Sequence, residues 1–221
     1  MLEAQAHQQI KSLLRREESS WPHHLTLSRL VGRSLRRRDT TLVQLPPSSG
    51  ERWWLGLLVP LCLAPNAGAL VLTAQQRRRL LRLEIPRLRK QGLRLPCWQG
   101  STAPKGNQLW LLSVAELIDA HRQGQLGERQ LLIPEMDQLS VRMREQLSIR
   151  IENHHWDELR HACPHAESAL LELHDRMSRQ LFTRATRTDA CMRMEGAASQ
   201  SLRDLLRLRD DCPSPWRAIV H

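Results

Sequence analysis

TTLVQLPPSSGERWWLGLLVPLCL, residues 40–63, reads as strand, turn and helix in that order. Thr40 to Leu45 mixes β-branched and apolar residues and stops at Pro46-Pro47, which cannot extend a sheet ladder. Trp53 to Leu63 is apolar all round, the pattern of a buried helix. The loop between them, Pro47-Ser48-Ser49-Gly50-Glu51-Arg52, lies where α/β proteins bind phosphate. There, free backbone N–H groups and the helix dipole both favour an anion. Loops of the Walker type are glycine-rich and end in Gly-Lys-Ser/Thr: the lysine reaches the β/γ-phosphates and the hydroxyl holds Mg²⁺. Here Gly50 is followed by Glu51 and Arg52. A carboxylate at the lysine's place repels ATP, and a guanidinium cannot ligate magnesium. Taken alone, the loop is an ordinary strand–helix connection.

Upstream, residues 2–16 predict a short helix with Ile10, Leu13 and Leu14 on one face, followed by a break at Ser19-Ser20-Trp21-Pro22. Leu27, Leu30, Val31 and Leu35 then fall at i, i+3, i+4 and i+8, the stripe of an amphipathic helix over 26–38. Downstream the pattern alternates. Strand 69–73 (ALVLT) runs into a helix over 75–91, which Pro86 should kink or end. Strands follow at 93–98 and 108–112, then a helix at 114–122, a Gly124/Gly127 turn and strand 130–133. Such alternation predicts βαβ units and a mostly parallel sheet with helices on both faces. Past residue 140 only helices are expected, at 138–149, 155–162, 165–185 and 199–209, with an extended piece near 190–194. The chain thus divides into an N-terminal helical segment (1–23), an α/β domain (24–140) and a helical extension (141–221).

The uncharged run Trp53 to Thr73 has the length of a membrane span. Pro60, Pro65, Asn66 and Gly68 interrupt it with turn chemistry that leaves backbone groups unsatisfied in lipid, which favours a soluble reading. The N-terminus lacks an apolar signal core. Five cysteines in 221 residues are too few, and odd in number, for a disulfide scaffold. They read as reduced thiols in a cytoplasmic protein.

Basic side chains outnumber acidic ones 33 to 23, for a net charge of +10. Lys11, Lys90 and Lys105 are the only lysines; the other basic residues are arginine. Arg36-Arg37-Arg38, Arg77-Arg78-Arg79 and Arg87–Lys90 suit either phosphate backbones or a solvated helix face. Among seven tryptophans, Trp53-Trp54 should give one core and one surface residue, and Trp98 and Trp110 should be core.

The order of these segments resembles the first RecA-like domain of superfamily 2 DNA helicases, most closely the DinG/XPD-like branch. In that family the phosphate loop reads approximately A-P-T-G-x-G-K-T; here Pro47 to Arg52 occupies it. ALVLTAQQRRRLL (69–81) is similar to motif Ia, where a strand end and helix start touch nucleic acid. LLIPEMDQL (131–139) is similar to the D-E-A-H box, with Pro134 in place of the magnesium-coordinating Asp and Glu135 aligned with the catalytic Glu. The likeness spans about residues 24–140 and implies a RecA-like fold, ATP with Mg²⁺, and single-stranded or forked DNA as partner. It names Thr73, Arg77, Arg78 and Arg79 as DNA contacts, Pro47 to Arg52 as a vestigial nucleotide loop and Glu135 as the residue of the acidic box. The family's second motor lobe, which carries the arginine finger, would have to come from another chain or from downstream. Without the lysine, the hydroxyl and the first acidic residue, most of the machinery of phosphoryl transfer is missing. The expectation is therefore DNA binding with weak or absent hydrolysis. The branch often carries a four-cysteine iron–sulfur cluster between its nucleotide motifs; only Cys62 and Cys97 lie in that interval, and no cluster is expected.

His154, His155, His161, Cys163, His165 and His174 are locally enriched, but their spacing fits no standard zinc pattern and predicts no metal site. The competing functional class is a docking protein built on a degenerate RecA-like fold.

Overall fold

The computed structural model describes residues 2–17, 21–64, 67–184, 196–207 and 212–220. Two compact units divide the chain, residues 1–146 and 147–221. In the first, α1 (Leu2–Glu17), α2 (His24–Arg37) and α3 (Trp54–Leu63) precede β1 (Gly68–Val71). A continuous helical stretch follows, α4 (Ala74–Arg79), a π turn (Leu80–Glu84) and α5 (Ile85–Lys90), then β2 (Cys97–Trp98), β3 (Leu109–Leu112), α6 (Val114–Arg122), β4 (Gln130–Leu132) and α7 (Met136–Leu147). All three strand pairs are parallel and the order is β2-β3-β1-β4.

β1 and β3 are buried at every position, as expected for central strands of a parallel sheet covered on both faces. Leu70, Leu72, Leu109 and Leu111 face one core, filled by Ile10, Leu13, Leu27, Leu35, Trp54, Leu55, Leu58, Leu80 and Leu88. Ala69, Val71, Trp110 and Leu112 face the other, with Leu117 and Ala120 of α6. Ile10 and Leu13 place α1 in the same core as α2 and α3, and Trp21 joins them there, so these residues belong to the first unit.

Thr40 to Leu45 does not join the sheet. Val43 and Leu45 pack on the core, Leu42 is 82% exposed, and the segment has no regular structure and no ladder partner among the described residues. A strand's apolar alternation is satisfied by core contact alone; a ladder also requires a neighbour, and β4 stands as an unpaired edge. Of the strand expected over 93–98, only Cys97–Trp98 pairs. Trp98, expected in the core, is 38% exposed, because its edge strand leaves the ring lying over Gly100 with Nε1 donating to the Thr102 carbonyl. Trp110 is fully buried. Leu30, expected on the buried stripe of α2, is 38% exposed.

Pro86 has no N–H to donate, and the helix accommodates it through the wide turn just before it, where Ile85 N–H bonds Leu80 O. That turn buries Glu84, whose carboxylate accepts from Arg79 Nε (3.1 Å) and Arg87 Nη1 (3.3 Å).

The second unit packs α8 (Asn153–Ala162), α9 (Glu167–Arg184), α10 (Ala197–Arg207) and α11 (Arg217–Val220) around Trp156, Leu159, Leu170, Leu206 and Trp216. Trp156 stacks on His174 at 4.5 Å and meets Trp216 edge-on at 4.6 Å. Trp216 Nε1 donates to His155 O at 2.9 Å. The extended piece expected near 190–194 lies outside the described residues. Among the described residues no helix is long and apolar enough to cross a membrane.

Candidate nucleic-acid interface

The chain leaves β1 for α4 and leaves the adjacent β3 for α6, which covers the opposite face of the sheet. A crevice outside the carboxyl ends of two such strands is where open α/β sheets hold ligands. Here a groove of about 400 Å³ lies at that place, lined by Leu72, Ala74, Arg77, Arg78, Arg82 and Glu116 among others.

Two capping boxes build its floor. Thr73 accepts from Gln76 N–H (3.2 Å), and the Gln76 side chain accepts from Thr73 N–H (3.0 Å). Ser113 and Glu116 do the same for α6. The signals T-A-Q-Q and S-V-A-E are legible in the sequence as Ser/Thr-x-x-Gln/Glu, and they fix both helix starts. Arg77 then joins the two boxes, its guanidinium bonded to both Glu116 oxygens and, through Nη2, to Leu111 O at 3.2 Å. Burial pushes the Glu116 carboxyl up, but the bonds from Arg77 and Ser113 outweigh it and hold the group below its ordinary value.

The four residues expected to touch nucleic acid therefore separate. Thr73 spends its hydroxyl on the cap and Arg77 is a staple between helices. Arg79 is held by Glu84 and Glu51. Arg78 is exposed on the groove and makes no ion pair or hydrogen bond among the described residues. Arg82, one helical turn on, has the same character, and the spacing Arg78–Arg82 is the i, i+4 signal that could have found it.

The nucleotide loop has a different geometry from a phosphate cradle. Pro47–Ser49 closes a 3₁₀ turn, with Ser49 N–H bonded to Pro46 O at 2.9 Å. Ser48 is exposed, whereas Ser49 is buried and its Oγ has no hydrogen-bond partner among the described residues. Gly50 takes a positive φ of 51°. Glu51 reaches Arg79, so the carboxylate standing at the lysine's place is bound to a cation of the fold, and Arg52 N–H bonds back to Ser49 O. At the acidic box, the Pro134 side chain offers no ligand atom, and Glu135, at φ 54°, pairs with Arg142. These residues do not fit Mg²⁺-bound ATP: each carboxylate that would meet it is turned to an arginine, and no lysine is present at the loop.

Cys62 and Cys97 are half-buried neighbours. Burial pushes the Cys62 thiol up to about 12, with a further push from Cys97, and the Cys97 thiol up to about 11. Both stay protonated at neutral pH and are weak metal ligands there. In the second unit His155 Nδ1 accepts from Glu152 N–H at 2.9 Å and His174 stacks on Trp156. Among the described residues no three His, Cys, Asp or Glu side chains converge on a metal position. Comparison of the chain with protein families, curated proteins and solved structures finds no match in any of the three.

Proposed function

We propose that this chain is a RecA-like domain that binds the phosphate backbone of single-stranded or forked DNA without efficient ATP hydrolysis. The observation that carries the reading is the groove at the carboxyl ends of β1 and β3, which presents Arg78 and Arg82, without an ion pair or hydrogen bond among the described residues, beside the Arg77 staple. A net charge of +10 supports it. The pairing of Glu51 with Arg79 and of Glu135 with Arg142 supports the absence of phosphoryl transfer.

Fluorescence anisotropy with labelled single-stranded DNA tests the reading across a salt series. Arg78→Glu with Arg82→Glu should weaken binding about tenfold or more. The salt slope should flatten by about 0.7 for each phosphate that the variant no longer neutralises. Unchanged affinity and slope would reject the groove. DNA-stimulated ATP turnover that vanishes on Glu51→Ala or Glu135→Ala would reject the non-hydrolytic part. A second reading, a docking protein on the same fold, is favoured by α7, which buries none of its side chains fully and leaves Met136, Val141 and Leu147 about half exposed.

A further inference from the structure

The fold divides the run Arg36-Arg37-Arg38 at the end of α2. Arg36 pairs with Glu3 of α1 at 2.7 Å, and Arg38, at φ 57° beyond the helix end, pairs with Glu128 at 3.3 Å. Arg37 is left on the surface and continues a row back along the helix through Arg33 and Arg29. At 1.5 Å per residue, members four residues apart stand about 6 Å from each other and the row spans about 12 Å. All three are exposed, and none makes an ion pair or hydrogen bond among the described residues. The buried residues His24, Leu27, Ser28, Val31 and Leu35 take the opposite face. No carboxylate answers the row. α2 contains neither Asp nor Glu, and α3, packed against it, carries no charged residue. On α1, Glu3 is taken by Arg36, while Lys11 and Arg15 are exposed cations. In the second unit, by contrast, Asp157 answers Arg160, Glu172 answers Arg176 and Asp175 answers Arg179 within one helical turn. Like charges one turn apart repel, so the row on α2 costs stability that a bound anion would return.

We propose that the row Arg29, Arg33 and Arg37 is a second binding surface, one that holds the phosphate backbone of duplex DNA, the double-stranded arm of a fork. A row of about 12 Å is longer than a single phosphate, so its ligand is a chain of them. Guanidinium groups suit that ligand, since each can bind a phosphate through two parallel hydrogen bonds. A lipid surface suits the row less well. The apolar face that an interfacial helix would insert is already buried in the core, and only Leu30, 38% exposed, stands beside the arginines. A single strand suits it less well too, because such sites stack bases on aromatic rings. Trp21 and Trp54 near α2 are buried, and His23, ahead of the helix, meets Trp21 edge-on at 5.4 Å. A duplex backbone asks only for charge. Arg29 and Arg33 lead, because Arg37 lies in the last turn, where it offsets the helix dipole, and Asp39 is exposed just beyond it. The choice of DNA rests on the proposed function, whereas the surface shares no residue with the arginine groove.

Fluorescence anisotropy of the full chain with a labelled blunt-ended DNA duplex, and separately with labelled oligo-dT, tests the surface. Arg29→Glu with Arg33→Glu should weaken duplex binding about tenfold and flatten its salt slope by about 0.9 for each phosphate no longer neutralised. Oligo-dT affinity should stay within about threefold. Arg29→Gln with Arg33→Gln removes the charge without reversing it; it should act in the same direction and keep the wild-type circular dichroism. Arg94→Glu with Arg122→Glu makes the same change of net charge at exposed positions off the row, and should leave duplex affinity within about threefold. The groove is read on oligo-dT with its own variants, so failure of the groove and failure of α2 are distinct results. Unchanged duplex affinity in the α2 variants overturns the proposal. An equal loss in the charge-matched pair also overturns it, by making net charge the cause, and an equal loss on oligo-dT does so by making the ligand a single strand. Binding to phosphatidylserine vesicles that the α2 variants abolish, with the duplex unaffected, would assign the row to a membrane instead.

Discussion

At the scale of single residues, Arg77 shows how a cation at a ligand-binding position becomes part of the fold. Its guanidinium satisfies a carboxylate and a carbonyl left at the end of β3, so what a sequence pattern offers as a phosphate contact is occupied from within. The sequence could place Arg77 at a helix start after a strand. It could not show that Glu116, 39 residues away, would stand opposite. Glu116 makes the pairing testable. Its folded pKa lies below the ordinary 4.5, so the folded state binds fewer protons than the unfolded chain as pH drops below that value. The stabilisation is complete above pH 4.5 and is lost as pH falls through the lower folded value. Glu116→Gln should cost about 1 kcal/mol at neutral pH, a modest figure for a pair that solvent partly screens. In urea unfolding, the gap between wild type and variant should close as pH falls below 4.5. A gap independent of pH would remove the ion pair from the account.

At the scale of elements, α2 and α3 meet where Gly56 faces Leu27. A Cβ at Gly56 would come within 2.8–3.0 Å of the Leu27 side chain, including its own Cβ, which cannot swing away. Gly56→Ala gains helix propensity but overpacks this contact, and a net loss of about 1 kcal/mol is expected. Leu27→Ala removes the Cγ and Cδ2 contacts and leaves only the Cβ contact at 3.0 Å, so Gly56→Ala in that background should cost less than in the wild type; additive effects in a double-mutant cycle would contradict the contact. The same scale separates the legible from the illegible. α3 and α6 follow from unbroken apolar and cap-plus-stripe patterns. Thr40 to Leu45 carries a strand's pattern as strongly as Leu109–Leu112 but has no ladder partner. Whether an alternating segment becomes a strand depends on a neighbour many residues distant, and local periodicity holds no record of it. The π turn ahead of Pro86 is legible only as a kink, since the burial of Glu84 between Arg79 and Arg87 is a tertiary fact.

At the scale of the whole molecule, the two units have separate cores, one centred on the sheet and one on Trp156, Leu159 and Trp216. All the elements that shape the arginine groove lie in the first. The second holds its tryptophans by stacking and by the Trp216–His155 bond within itself. A chain cut in the segment between α7 and α8, after residue 150, should therefore leave a fragment that unfolds cooperatively and keeps its circular dichroism. That fragment should bind single-stranded DNA within about threefold of the full chain and with the same salt slope, because the phosphate contacts that set the slope are retained. The complementary fragment, 151–221, should keep the blue-shifted emission of buried indoles and contribute little to DNA affinity. If the affinity instead follows the second fragment, the net charge rather than the groove directs binding, and Arg78 and Arg82 lose their role. If neither fragment binds while both are folded, the DNA surface needs both units and the groove at β1 and β3 is at most one part of it.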